Sequence, residues 1–165
     1  MNWIFGNNIN TDLITPGRYN ITTDPKELAK IVFIEHCPEF SKQVRKNDFI
    51  IGGNNFGCGS SRETAVTALK HCGIKAVIAK SFARIFYRNC INQGLFAIIV
   101  DTSQIEKNDK LKLDIKNQQI INITKKLKIK ATIPSLMVKL HTIGGIISYI
   151  QKNGIKNFKN IINET

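Results

Sequence analysis

Phe49-Ile50-Ile51 is followed by Gly52-Gly53-Asn54-Asn55-Phe56-Gly57-Cys58-Gly59-Ser60-Ser61-Arg62-Glu63, and then by Thr64-Ala65-Val66-Thr67-Ala68-Leu69. The short apolar run reads as a buried strand, ended by the paired glycines. Ala65, Val66, Ala68 and Leu69 recur at helical spacing, so a helix follows and stops near Gly73. A strand, a glycine-rich turn and a helix in this order aim free backbone N–H groups and the positive end of a helix dipole at one spot. Glycines at 52, 53, 57 and 59 let a ligand come close to the backbone. Ser60 and Ser61 add hydroxyls, and Arg62 adds a planar fork suited to a carboxylate. The segment Gly57–Glu63 therefore predicts an anion-binding loop. It has neither the Lys of G-x-x-x-x-G-K-[ST] nor the spacing of G-x-G-x-x-G, which disfavours nucleotides. A plainer reading competes with it, because Ser60-x-x-Glu63 is also a capping box. Capping needs only those two residues, whereas the segment also concentrates a second serine, an arginine and two glycines.

Working outward, Ala76–Ala79 reads as a second buried strand. Ser81 is expected to cap a helix running through Phe82, Ile85, Phe86 and Ile91, and Phe96 to Val100 reads as a third strand. Strand–helix–strand–helix–strand at this spacing predicts an α/β fold with a parallel βαβ core. The pattern then changes. Lys110–Ile115, Ile120–Thr124 and Leu127–Ala131 alternate polar and apolar residues and predict an antiparallel meander with one wet face. Gly144–Ile150 reads as a terminal helix, and the tail from Lys156 is polar and expected to fray. Upstream, Thr11–Tyr19 reads as loop with a Pro16-Gly17 turn. Asp24-Pro25-Lys26-Glu27 reads as a helix start, with Asp24 at the N-cap, Pro25 at N1 and Glu27 closing a capping box, leading into a helix through about Ile34.

A chain of 165 residues with 42% apolar content suits one domain with its own core. The expected extent is residues 1–165, with the core in about 1–150 and a polar tail in about 156–165. No run of about 18 apolar residues is present, so no membrane span is expected. Nor does the N-terminus show a basic stretch before an apolar one, so the expected location is cytoplasmic. Cys37, Cys58, Cys72 and Cys90 include no C-x-x-C pair, and His36, His71 and His141 are scattered, so neither a metal site nor a disulfide framework is expected. The formal charge of +12 admits two explanations. One is a basic module that binds nucleic acid. The other is a composition leaning on Lys, Ile and Asn. The second fits better, since the lysines are diffuse and densest in the last third, and arginine occurs only at 18, 45, 62, 84 and 88.

Three motifs resemble the swivelling β/β/α domain of the aconitase superfamily, the C-terminal type. They are Asn10-Thr11-Asp12-Leu13-Ile14-Thr15-Pro16-Gly17-Arg18-Tyr19, the segment Asn55–Glu63, and Lys80-Ser81-Phe82-Ala83-Arg84-Ile85-Phe86-Tyr87-Arg88-Asn89. Their order and the chain length are similar to the separate small subunits of the 3-isopropylmalate dehydratase family, with homoaconitase small subunits as siblings. The resemblance implies a hydro-lyase that works only with a large subunit. In such enzymes that subunit carries a [4Fe–4S] cluster through three cysteines. Cys58 alone does not make such a site, so no metal is expected on this chain. The resemblance further implies that Ser60 is the base, that Ser61 and Arg62 bind substrate carboxylate, and that Asp12 stands at the mouth of the site. An Asx-turn at Asn10–Asp12 is an equally good reading of Asp12 from spacing. Tyr19-Asn20-Ile21-Thr22 matches the family's specificity segment, with Asn20 where leucine is common. Homoaconitases carry arginine at the position of Ile21. An aliphatic residue there favours 2-isopropylmalate over homocitrate, and a methyl-bearing substrate such as citramalate fits equally.

Overall fold

The computed structural model describes residues 1–60 and 62–157. Strands β1 (Asn2–Ile4), β2 (Phe49–Ile51), β3 (Ala76–Ala79) and β4 (Phe96–Ile99) form a parallel sheet in that spatial order. Ile50 lies opposite Trp3 on one side and Val77 on the other, and Val77 lies opposite Ala97. Every residue of β2 and β3 is buried, as in a sheet covered on both faces. Helices α1 (Thr11–Ile14), α2 (Pro25–Lys30) and α3 (Phe40–Gln43) fill the connection from β1 to β2. Helix α4 (Glu63–His71) returns the chain to β3, and α5 (Arg84–Gln93) returns it to β4. Ala65, Val66, Ala68 and Leu69 are the buried face of α4, as their spacing requires. Gly73 follows in the left-handed region at φ +91°.

The second sheet is antiparallel, with β5 (Leu111–Asp114), β6 (Gln119–Asn122) and β7 (Leu127–Lys130). Leu113, Ile120 and Ile129 stand opposite one another on the inner face, and Lys112, Ile121 and Lys128 form the matching outer row. This is the expected wet-faced meander. Helices α6 (Ser135–Ile143) and α7 (Ile146–Asn153) close the described chain, followed by a 3-10 turn at Ile155–Asn157. Residues 158–165, which hold most of the polar tail, lie outside the described residues.

Several expectations are corrected. Strand β1 has no signature in the sequence: it is three residues long and begins with a buried Asn2, whose Nδ2 donates to the Glu106 and Asp109 carbonyls. Thr11–Tyr19 is not plain loop. Asn10 Oδ1 accepts from the Leu13 N–H and caps the single turn of α1, and Gly17–Tyr19 forms a 3-10 turn. Asp24 caps α2 by accepting from the Lys26 N–H, with Pro25 at N1 as read. The box does not close, because Glu27 pairs with Lys30 and the Asp24 N–H donates to Thr22 Oγ1. Helix α2 ends at Lys30 rather than Ile34. Phe33 takes φ +54° so that its N–H can donate to the Ile14 carbonyl while its ring stacks on Phe5. Ser81 caps nothing, since α5 begins at Arg84 with Ala83 at the N-cap, and Ser81 Oγ instead accepts from the Asn55 N–H. Helix α6 was not anticipated. Gly144 ends it in the left-handed region and Gly145 opens α7.

Below the sheet, the buried Asp48 carboxylate accepts from the Met1 ammonium, from Trp3 Nε1 at 3.1 Å and from the Arg45 N–H at 2.9 Å. Burial works to raise this carboxyl, but the ammonium, the Arg45 amide and the indole outweigh it and hold the group below the usual aspartate range. A depressed folded value contributes stability that is present above the unfolded value, about pH 4. That stability is lost as the pH falls through the folded value. Asp48→Asn is therefore expected to lower stability by roughly 1–3 kcal/mol at neutral pH. The gap to the parent should shrink on acidification, as read by urea unfolding at pH 7 and pH 3.

Candidate active site

The parallel sheet puts the carboxyl ends of its strands on one edge, where open α/β sheets bind ligands. The segments that leave β1, β2 and β3 meet there and are stitched together. Asn8 N–H donates to the Asn54 carbonyl at 2.8 Å, Gly57 N–H to Ile9 at 2.7 Å and Thr11 N–H to Cys58 at 2.8 Å. On the other side Phe56 N–H donates to Ser81 at 3.0 Å and Ala83 N–H to Phe56 at 2.9 Å. Gly57 has φ +78°, and a Cβ built on it falls 2.1 Å from the Phe86 ring. The Gly57–Glu63 loop is thus clamped between the segment after β1 and the start of α5.

Helix α4 begins at Glu63 with Arg62 at the N-cap and no side-chain cap. Among the described residues no side chain caps its first N–H groups, which point toward the loop. The capping box offered by the sequence does not form. Glu63 accepts from Gln93 Nε2 at 2.9 Å, and Ser60 Oγ lies 3.1 Å from Thr11 Oγ1. The Ser60 hydroxyl is thereby left for other work, on a residue that is exposed. Ser61 lies outside the described residues.

Arg62 crosses to the segment after β1. Its Nη1 pairs with Asp12 Oδ1 at 2.5 Å and donates to the Thr15 carbonyl at 3.3 Å. The guanidinium passes so close to Gly17 that a Cβ there would sit 3.3 Å from both terminal nitrogens. Among the described residues Nε and Nη2 make no further bond, so one edge of the fork is anchored and the other is open. Asp12 is thus an Arg62 partner at the rim, and the Asx cap beside it belongs to Asn10. The segment Tyr19–Thr22 comes to the same helix end. Asn20 Nδ2 donates to Thr64 Oγ1 at 2.9 Å, and Asn20, Ile21, Thr22, Thr23 and Thr64 line an open cavity of about 480 Å³. Ile21 is 89% exposed at its lip.

The description of the aconitase C-terminal domain matches residues 2–103, which include all three motifs. The chain belongs to the aconitase C-terminal domain family. It is 50% identical to 3-isopropylmalate dehydratase small subunit 2 of Archaeoglobus fulgidus, covering 92% of this chain and 93% of that one. It is 48% identical to the methanogen homoaconitase small subunit of Methanocaldococcus jannaschii, covering 90% and 88%. A solved structure of 3-isopropylmalate dehydratase from the same methanogen superposes with a TM-score of 0.88 at 46% identity, covering 96% of each chain. The expected fold is therefore the observed one, a mixed α/β domain with separate parallel and antiparallel sheets.

This aconitase C-terminal domain offers poor ligands for iron. Among the described residues no three His, Cys, Asp or Glu side chains converge on one point. Burial pushes the Cys72 thiol up to about 12 and also raises Cys90 and Cys37. A buried thiol that gives up its proton reluctantly is a weak metal ligand. The described residues hold no group of three such side chains to grip a cluster. Two contributors were missed in the sequence, Thr11 against Ser60 and Thr64 against Asn20. Thr11 stood inside a quoted motif, but only the fold puts it beside residue 60.

Proposed function

We propose that this chain is the small subunit of a 3-isopropylmalate dehydratase, interconverting 2-isopropylmalate and 3-isopropylmalate through 2-isopropylmaleate in leucine biosynthesis. The observation that carries the substrate choice is Ile21, an aliphatic side chain at the lip of the cavity beside the anion-binding helix end. An extra carboxylate there would lose water without gaining a partner, whereas an isopropyl group would gain an apolar contact. On this reading the large subunit would carry a [4Fe–4S] cluster, which would supply Lewis-acid chemistry at the leaving hydroxyl. This chain brings the base and the carboxylate grip. Ser60 takes the proton from the neighbouring carbon, its charge eased by the helix end and Arg62. Ser61 and the open edge of Arg62 hold substrate carboxylate, Asp12 holds the other edge, and Tyr19-Asn20-Ile21-Thr22 selects the side group. The protein works in the cytoplasm as one partner of a heterodimer, as a single swivel domain. No helix among the described residues is long and apolar enough to cross a membrane. Nucleic acid is not among its partners on this reading: the lysines of β5–β7 stand without arginine or aromatic residues between 107 and 131.

A relative named for homoaconitase at 48% identity keeps a second reading in view, and an isopropylmalate/citramalate isomerase small subunit at 44% a third. Turnover by the chain mixed with its cluster-bearing subunit, on 2-isopropylmaleate, citraconate and homoaconitate, separates all three. Activity on isopropylmaleate is the expected result, and activity on none of them overturns the proposal. Ile21→Arg is expected to move preference toward the tricarboxylate by about tenfold or more, the worth of one new charge-assisted bond. An unchanged ratio of kcat/KM values would remove Ile21 from the specificity argument.

A further inference from the structure

The Thr11 hydroxyl stands between two oxygens of Ser60. Its Oγ1 lies 2.9 Å from the Ser60 carbonyl oxygen and 3.1 Å from Ser60 Oγ. Thr11 is 1% exposed, its N–H is committed to the Cys58 carbonyl and its own carbonyl accepts from the Thr15 N–H. Its backbone is therefore fixed, and the free coordinate is rotation of the hydroxyl proton. A hydroxyl has one proton to give and two lone pairs to offer. Beside a neutral Ser60, the Thr11 proton goes to the carbonyl, which can only accept, and a Thr11 lone pair takes the Ser60 proton. Beside a charged Ser60 Oγ this arrangement fails, because an alkoxide has no proton to give. Rotation then delivers the Thr11 proton to Ser60 Oγ. The carbonyl it leaves is not orphaned, since the Arg62 N–H donates to the same oxygen at 2.8 Å. One rotation exchanges a neutral hydrogen bond for a charge-assisted one, with no backbone movement.

We propose that Thr11 is a positioning residue for the reaction, a two-position donor that stabilises Ser60 Oγ while that atom is charged. The proposal rests on the reading of Ser60 as the base. When Ser60 Oγ takes the substrate proton, the C–H electron pair becomes the new double bond, and the hydroxyl on the adjacent carbon leaves with its bonding pair. Ser60 is then neutral and the Thr11 proton returns to the carbonyl. On rehydration the two rotations run in reverse.

The test uses the reconstituted two-subunit enzyme. Thr11→Val is expected to lower kcat about 100-fold with KM nearly unchanged, the usual loss on removing one preorganised donor. It should also move the rising limb of the kcat–pH profile to higher pH, because Ser60 ionises less readily without that donor. Thr11→Ser should restore both rate and limb. A Thr11→Val enzyme with an unshifted limb, or a Thr11→Ser enzyme as slow as the valine variant, makes Thr11 a packing residue and overturns the proposal. If the valine variant does not fold or pair with the large subunit, Thr11→Cys takes its place. With a weaker S–H donor it should be slower than the parent with the limb shifted upward, and parental rate and limb overturn the proposal. Ser60→Ala separates the two claims. A fully active Ser60→Ala enzyme defeats the reading of Ser60 as base. An inactive one beside a fully active Thr11→Val enzyme defeats only the inference about Thr11.

Discussion

Ser60→Ala is expected to lower turnover of the reconstituted enzyme by about 1,000-fold, the typical worth of a positioned base, while leaving the chain folded and able to pair. The reason for expecting so clean a separation lies in which Ser60 atoms hold the loop. The Ser60 carbonyl accepts from Thr11 Oγ1 and from the Arg62 N–H, and both bonds survive the substitution. The hydroxyl itself contacts Thr11 and does not cap α4. Losing it costs about 1 kcal/mol of stability at most, because Ser60 is exposed and Thr11 Oγ1 keeps its carbonyl partner. Absorbance of the unsaturated product against time, beside a urea unfolding curve, gives both numbers. Parental turnover would falsify the assignment of Ser60, and a large loss of stability would mean that the hydroxyl is structural after all.

Gly57→Ala is expected to do the opposite, damaging the fold before the chemistry. Residue 57 sits at φ +78°, and the added Cβ would fall 2.1 Å from Cγ of Phe86. Phe86 cannot give way easily. It is buried at 3% exposure in the aromatic cluster with Phe56 and Phe82, at ring separations of 5.6 and 6.2 Å. Left-handed strain and overpacking together predict a loss of roughly 3 kcal/mol or more. The loop carries Ser60 and Arg62, so activity should fall with the folded fraction, and a substrate-saturated enzyme should lose kcat as the loop shifts. Thermal unfolding of the variant alone checks the first part. A melting temperature equal to that of the parent would mean that the loop backbone can move away from α5.

The sequence and the structure divide the work along physical lines. Strands β2 and β3, the buried face of α4 and the outer lysines of β5–β7 were legible because burial on both faces, helical periodicity and strict alternation each leave a local pattern. Strand β1 left none, since three residues starting with a buried asparagine have no period to read, whereas α6 carries a short one in Met137 and Leu140 ahead of Gly144. The length of α2 was misjudged for a related reason. A left-handed Phe33 is favourable only because Ile14 supplies a carbonyl and Phe5 a ring from distant parts of the chain. The site shows the same split. Residue types alone marked Gly57–Glu63 as a place for an anion, and the three motifs marked the family. Which function each oxygen could serve was beyond them. The box Ser60-x-x-Glu63 is as good as a ligand loop on spacing, and the tertiary structure opens the box by giving Glu63 to Gln93 and Ser60 to Thr11. Hydrogen bonds between residues 30 and 49 positions apart depend on how the strands are ordered in the sheet. Local sequence specifies the strands and the helix, and only packing decides which hydroxyl remains unspent.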